Sequence, residues 1–323
     1  MIIGIDIGGA NTKAASSDGR FTHTKYLPLW RDADLEGTLK EIKDAAGSIE
    51  AVGVTITGEL ADCFATKKEG IDHISGIVRK VFPGALFFGS DGKFYGDTPD
   101  HTLFSAANWM ASASFAGSRH RDIIFIDVGS TTSDIIPIKD RVPLAGKTDF
   151  ERLARGELIY SGSLRTNIAA LLQKVEVKGL TVRTSSELFA VTADAYLLLG
   201  RISEQDYTCD TPDGGSKDRH GAALRLARVV CCDLEELSEE DAVEIARQVH
   251  RRQVDELKSG IGEVIERCGV KKAAVCGLGS FLVKDALLEM GIPFTMMQTE
   301  YGEKVSRVFP AYAVACLLAG KTE

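Results

Sequence analysis

An α/β fold built twice around a central cleft is what this 323-residue sequence predicts. Three observations predict it. The first is the stretch 122–138, DIIFIDVGSTTSDIIPI, where an apolar run (123–126) enters Asp127, a small-residue turn follows through Gly129, Ser130, Thr131, Thr132 and Ser133, and Asp134 leads a second apolar run. That pattern reads as strand, turn, strand. The second is a copy of the plan at the start of the chain, MIIGIDIGGANTKAA. There Asp6 stands near the end of an apolar strand, Gly8, Gly9, Ala10, Asn11 and Thr12 make the turn, and Lys13 opens the return. The third is the order of elements after that copy, β-β-β-α-β-α-β.

In that first half, strands at 2–7, 12–16 and 21–29 form a meander, with Asp18-Gly19 as a tight turn between the last two. Asp34 caps a helix whose apolar stripe is Leu35, Leu39, Ile42 and Ala46, and Gly47 ends it. A strand at 51–56, a helix at 70–81 and a strand at 85–88 follow, and residues 105–117 read as a helix leading across to the second half. This order is that of one ribonuclease-H-like half. The paired turns resemble the two phosphate motifs of the superfamily that contains acetate and sugar kinases, Hsp70 and actin. The expectation is therefore a duplicated ribonuclease-H-like two-domain fold, with residues 1–119 plus 304–323 as one domain and 120–303, with helical insertions, as the other.

The second half begins at Asp122. After its hairpin, 147–155 reads as a short helix, 156–167 as a polar loop, and 186–200 and 221–232 as helices. Ser238, with Asp241 three residues on, opens the longest helix as a capping box, and Gly269 stops it. A strand at 273–276, the turn Gly277-Leu278-Gly279-Ser280, a helix at 282–290 and a strand at 292–297 follow. Pro310 fits the first turn of a last helix that packs back on the first domain.

Composition narrows the function. Charged residues are 26% and hydrophobic ones 44%, a globular balance. The net charge of -8 and the lack of a Lys/Arg block argue against a nucleic-acid partner. No apolar run reaches a membrane span, and the opening strand has no signal-peptide layout. Seven scattered cysteines without a C-x-x-C pattern favour reduced thiols and a cytoplasmic setting. Assembly as a homo-oligomer is left open. No zinc spacing is present, and His220 and His250 read as ordinary helix residues.

The candidate chemistry sits at strand ends. Bare N–H groups and hydroxyls in the two turns suit an anion, and Asp6 and Asp127 suit a cation that neutralises it. An ordinary hairpin is the alternative for either turn alone. Glu59, Asp62 and Lys67 cluster after the strand at 51–56, the materials of an acid–base and phosphate site, with a solvated loop as the alternative. Arg165 suits bidentate phosphate binding or a surface ion pair. The Gly277–Gly279 turn lies where the superfamily places its adenosine motif, but Leu278 interrupts the glycine run. It reads equally as a phosphate-binding helix start or as a close-packed strand-to-helix turn. Residues 206–213 suit a lid.

At TGELADCF with KKEG, IDVGSTTSDI, GELIYSG with RTN, and ADAYLLLGRI followed by DYT, the chain resembles one small family over nearly its whole length. This is the furan-methanamine synthase family of methanofuran biosynthesis, an archaeal and methylotroph group labelled hydantoinase/oxoprolinase-like and linked to tetrahydromethanopterin one-carbon metabolism. The resemblance implies transfer of an aminomethyl-furanmethanol group from its diphosphate to the phenol of γ-glutamyl-tyramine, releasing diphosphate; the residues add the expectation of Mg²⁺ as cofactor, without ATP. On that chemistry the candidates to bind diphosphate are Gly8, Gly9, Asn11, Thr12, Lys13, Gly129, Ser130, Thr131, Thr132, Arg165, Gly277 and Gly279. Asp6, Asp127 and Asp134 would position the metal. A phenol ionises near pH 10, so a base is needed, for which Glu59, Asp62 and then Glu157 are candidates beside Lys67. Two other classes stay open: an ATP-dependent small-molecule kinase, distinguished by ADP formation, and a non-catalytic nucleotide-binding protein.

Overall fold

The structure is a computed structural model that describes residues 1–31, 33–96 and 101–320. The expected duplication is present in the strand order. In the first half β1 (Ile2–Gly8), β2 (Asn11–Ser16), β3 (Thr22–Tyr26), α1 (Leu35–Ala46), β4 (Ala51–Thr57), α2 (Lys67–Val81), β5 (Leu86–Phe88), β6 (Phe94–Tyr95) and α3 (Asn108–Arg119) follow in sequence. They build a sheet of order β3-β2-β1-β4-β5-β6. In the second half the order is β7 (Ile123–Val128), β8 (Ser133–Lys139), β9 (Val142–Pro143), α4 (Asp149–Ala154), β10 (Leu158–Ile159), α5 (Ile168–Leu171), β11 (Lys174–Val177) and β12 (Leu180–Arg183). Then come α6 (Thr192–Leu198), α7 (Arg219–Arg228), α8 (Glu239–Cys268), β13 (Ala273–Cys276), α9 (Ser280–Glu289), β14 (Phe294–Met296), α10 (Met297–Tyr301), α11 (Glu303–Arg307) and α12 (Phe309–Leu318). Their sheet runs β10-β8-β7-β13-β14. In both sheets the first strand pairs antiparallel with the second and parallel with the next crossover strand. This is the ribonuclease-H-like arrangement twice.

The ends of the elements follow from local chemistry. Asp34 and Thr66 accept N–H bonds at the starts of α1 and α2, and Ser238 and Asp241 cap α8 reciprocally. Gly269 stops α8 in the left-handed conformation, φ 74. Two expectations need correction. Residues 186–200 are not one helix: α6 covers only Thr192–Leu198, because the Asp194 carboxylate takes the Val191 N–H and begins the helix there. The polar loop at 156–167 contains β10, which pairs with β8. The hairpin β11–β12 lies outside both sheets and had no strong apolar alternation to announce it.

The halves meet through α3 and α12, which pack with β7, β8 and β13 in one apolar cluster. Phe309 of α12 stacks on Phe125 of β7 with ring centroids 5.5 Å apart. On its other side α12 presses on β1 so closely that a Cβ at Gly4 would stand 2.0 Å from the Ala311 carbonyl oxygen. Only glycine tolerates that approach. The fit fixes where the β1 turn faces the β7 turn.

Candidate active site

A cleft of about 540 Å³ opens where the two turns face each other. Asp6, Gly8, Gly9, Asn11 and Lys13 line it from the first half, and Asp127, Gly129, Ser130, Thr131, Thr132 and Asp134 from the second. The turns touch: Asn11 Nδ2 donates to Ser130 Oγ at 3.2 Å. Both turns have their carbonyls tied back. Leu29 and Leu27 donate to Gly9 and Ala10, while Ser163 donates to Gly129, and Leu164 and Arg165 to Ser130. The N–H groups of Gly9, Ala10, Ser130, Thr131 and Thr132 meet no acceptor among the described residues. A turn with fixed carbonyls and free N–H groups presents a positive concavity.

The second turn is propped by the loop that follows α4. A Cβ at Gly162 would stand 2.5 Å from the Thr131 nitrogen, so only glycine lets this loop lie against the turn. Gln253 of α8 holds the loop from beneath, donating to Ser161 Oγ (2.6 Å) and the Gly162 carbonyl (3.0 Å). Two stretches singled out in the sequence, around Asp194 and around Tyr207, serve the frame. Arg225 and Tyr207 both engage the buried Asp194 carboxylate. This anchors the loop through Cys209–Pro212 that borders the cleft.

Charges crowd the floor. Burial pushes the Asp6 carboxyl up, against the pull of Lys13 and of the Thr55 and Thr57 hydroxyls that donate to it at 3.3 Å. Asp127 is pushed up to about 6, first by burial, with Lys13 opposing and Asp134 adding repulsion. Among the described residues no three His, Cys, Asp or Glu side chains gather as a metal cage. Two carboxylates beside an anion nest nonetheless suit Mg²⁺, which completes its shell with phosphate oxygens and waters. Asp6 and Asp127 fit that role. Asp134 lines the cleft but is held by the buried Arg152, which also reaches Asp149 at 2.7 Å. Its assignment as a metal ligand gives way to an ion pair.

At the end of β4 the buried Glu59 accepts from Ser105 Oγ at 2.5 Å, and Lys67 Nζ approaches the same hydroxyl at 3.4 Å. Burial pushes the Glu59 carboxyl up, while the Ser105 hydrogen bond and Lys67 pull it down. Its buried Oε2 has no partner among the described residues. Asp62 lines the cleft and is exposed. Lys67 does not line the cleft and reaches it only through Ser105 and Glu59.

Three further expectations are corrected. Glu157 is fully buried away from the cleft, bonded to Arg267 at 2.6 Å and to the Gly146 N–H at 2.7 Å, so it braces the frame. Gly277 and Gly279 do not line the cleft. Their N–H groups donate to Ser306 and Val128, which leaves neither for a phosphate and makes the turn a close-packed one. Thr12 is fully buried on β2 and does not line the cleft. Arg165 does line it, donating to Thr131 Oγ1 at 3.2 Å.

Sequence reasoning missed Arg152, Ser105 and Trp30. The chain has two tryptophans, and each carries a cleft arginine on its face: Arg165 over Trp30 at 4.5 Å and Arg152 over Trp109 at 4.9 Å. Trp30, in a polar stretch beside Arg31, was the available signal. Ala106, left-handed at φ 47, follows Ser105 at the cleft edge, a local strain of the kind that gathers at working sites.

Residues 50–320 match the hydantoinase/oxoprolinase family. The chain is 40% identical over 326 residues, covering 98% of it and 97% of the relative, to a "(4-{4-[2-(gamma-L-glutamylamino)ethyl]phenoxymethyl}furan-2-yl)methanamine synthase" of Methanocaldococcus jannaschii. A protein of the same name from Methanococcus vannielii is 39% identical over 202 residues, 61% of this chain and 91% of its own. Among solved structures, a ROK family glucokinase from Streptomyces griseus aligns over 98% of both chains at 14% identity with a TM-score of 0.49. Among the described residues no helix is long and apolar enough to cross a membrane.

Proposed function

The chain belongs to the hydantoinase/oxoprolinase family and, within it, with the furan-methanamine synthases, and from that premise we propose that it forms the aryl ether of a methanofuran precursor. The substrates of this reading are an aminomethyl-furanmethanol diphosphate and γ-glutamyl-tyramine; the products are the phenoxymethyl-furan ether and diphosphate. The observation that carries it is the pair of turns, joined by Asn11 and Ser130, whose free N–H groups face one cleft and suit the two phosphates of a single diphosphate.

The furan methylene–oxygen bond breaks with its electron pair passing to diphosphate, and the phenol oxygen supplies the pair for the new C–O bond. Lys13, Arg165 and the turn N–H groups stabilise the charge gathering on the leaving group. Asp6 and Asp127 would hold Mg²⁺, which when bound supplies positive charge to the diphosphate. Glu59, which lines the cleft, takes the phenolic proton. Burial, by raising its pKa, brings this base nearer to neutral pH, where proton transfer is effective. Asp62, exposed on the same loop, is the second candidate.

Mass spectrometry of a mixture of protein, Mg²⁺ and both substrates, with and without ATP, tests the reading. Ether and diphosphate formed independently of ATP are expected. ADP formed with a hydroxyl acceptor and no ether would replace it with a kinase.

A further inference from the structure

At the mouth of the cleft, Arg31 donates to Asp210 Oδ2 at 2.6 Å, and the Tyr26 hydroxyl donates to the same oxygen at 3.1 Å. Arg31 and Tyr26 come from the first half and Asp210 from the second, so the pair spans the two walls, and all three line the cleft. The side chains are 61% and 46% exposed. An ion pair so open to water contributes little. Opening it therefore costs little, and a ligand carrying both charges would replace each partner with an equivalent one.

The rest of the wall says what such a ligand looks like. Leu60, Tyr160 and Leu188 line the same cleft and are 59%, 68% and 55% exposed, more apolar surface than a site for phosphate alone requires. Trp30 joins this wall next to Arg31, and its ring lies under the Arg165 that donates to Thr131 of the second turn. From the anion turns outward the cleft thus runs from phosphate-binding N–H groups, past aromatic and aliphatic surface, to a paired positive and negative charge. A molecule with a reacting aromatic end and a zwitterionic amino-acid end matches that sequence.

We propose that Arg31 and Asp210 form the subsite for the amino-acid head of the acceptor, Arg31 taking its α-carboxylate and Asp210, with Tyr26, its α-ammonium. The assignment rests on the proposed ether synthesis and names how the acceptor is chosen: the γ-glutamyl group is read at the mouth while the phenol reaches Glu59. It predicts preference for γ-glutamyl-tyramine over tyramine.

The test compares kcat/KM for these two acceptors at saturating furan diphosphate in wild type, Arg31→Gln, Asp210→Asn and the charge swap Arg31→Asp with Asp210→Arg. The expected result is that both single variants lose tenfold or more of the wild-type ratio and that the swap, which restores an ion pair, does not restore it. A ratio within twofold of wild type in the single variants overturns the assignment, and so does recovery in the swap, which would make the pair a latch. Absence of ether from wild type with either acceptor would instead overturn the parent reading and this assignment with it. Thermal melting of each variant checks that these exposed substitutions leave the fold intact.

Discussion

Asp6 on β1 faces Lys13 on β2, and Asp127 on β7 faces Asp134 on β8, in the same register of the same hairpin. The neighbouring crossover strand places Thr55 beside Asp6 and Cys276 beside Asp127. The backbone is repeated and the charge is not. In the first half the aspartate has its cation on the next strand and hydroxyls at its side. In the second half the corresponding position carries another carboxylate, and the compensating cation, Arg152, comes from α4 in the inserted segment. Both halves keep the turn with tied carbonyls and, among the described residues, unpartnered N–H groups, so what the duplication preserved is the form of the turn. What diverged is the means of balancing the floor. Two nests facing each other suit one ligand with two phosphates, and unequal floors let one end of that ligand be treated differently from the other.

Asp6→Asn and Asp127→Asn test whether both floors are needed. Each should lower turnover about 10³-fold or more, since each removes a carboxylate that would hold the Mg²⁺ whose positive charge offsets that developing on the leaving group. Diphosphate release measures this, and full turnover in either variant would make that half a scaffold. Arg152→Met tests the imported cation. It leaves Asp134 buried beside Asp149 without a partner, and removing one member of a buried pair costs about 3–5 kcal/mol, so a large fall in melting temperature is expected. Lys13→Met, at the position that Asp134 occupies in the other hairpin, should spare stability more than Arg152→Met does. Equal losses would break the comparison.

A smaller effect concerns pH. The Glu59 carboxyl is raised above its ordinary 4.5 by burial. Its contribution to stability is complete below its unfolded pKa and is lost as pH rises through the folded value. Activity should move the other way, with kcat/KM falling about tenfold per pH unit below that raised value because a base must be ionised. Glu59→Gln should abolish the acid limb along with most activity, and should melt higher than wild type above it. An acid limb that persists in Glu59→Gln would belong to Asp127, whose carboxyl is pushed up to about 6, and would take it from Glu59. The smallest effect is expected from Asn11→Ala, which removes the bridge between the turns. One hydrogen bond contributes about 1 kcal/mol, so diphosphate affinity should weaken roughly fivefold, measured by titration calorimetry.

The fold was legible where burial imposes a strong pattern. The runs ending at Asp6 and Asp127 are continuous apolar strands, and the Ser238 cap and the Gly269 stop bound α8 from local chemistry alone. Strands β10, β11 and β12 were not legible, being short and partly exposed, with pairing partners supplied by distant or weakly patterned segments. The same division holds in the cleft. The turns announced themselves because glycine, serine and threonine follow an apolar run. Arg152, Ser105 and Trp30 did not, because each acquires its place from a residue far along the chain: Asp134 and Trp109 for Arg152, Glu59 for Ser105, Arg165 for Trp30. Glu157 misled because the sequence marks it as polar in a glycine-bearing loop and cannot show that Arg267 meets it in the interior.

The central claim is that the two turns hold two phosphates of one ligand. Calorimetric titration of the wild-type protein with inorganic diphosphate and with orthophosphate, each with Mg²⁺, tests it most directly. The account predicts that diphosphate binds about 100-fold tighter or more, an advantage of about 3 kcal/mol. Equal affinity for the two anions would contradict it and reduce the paired turns to two separate hairpins.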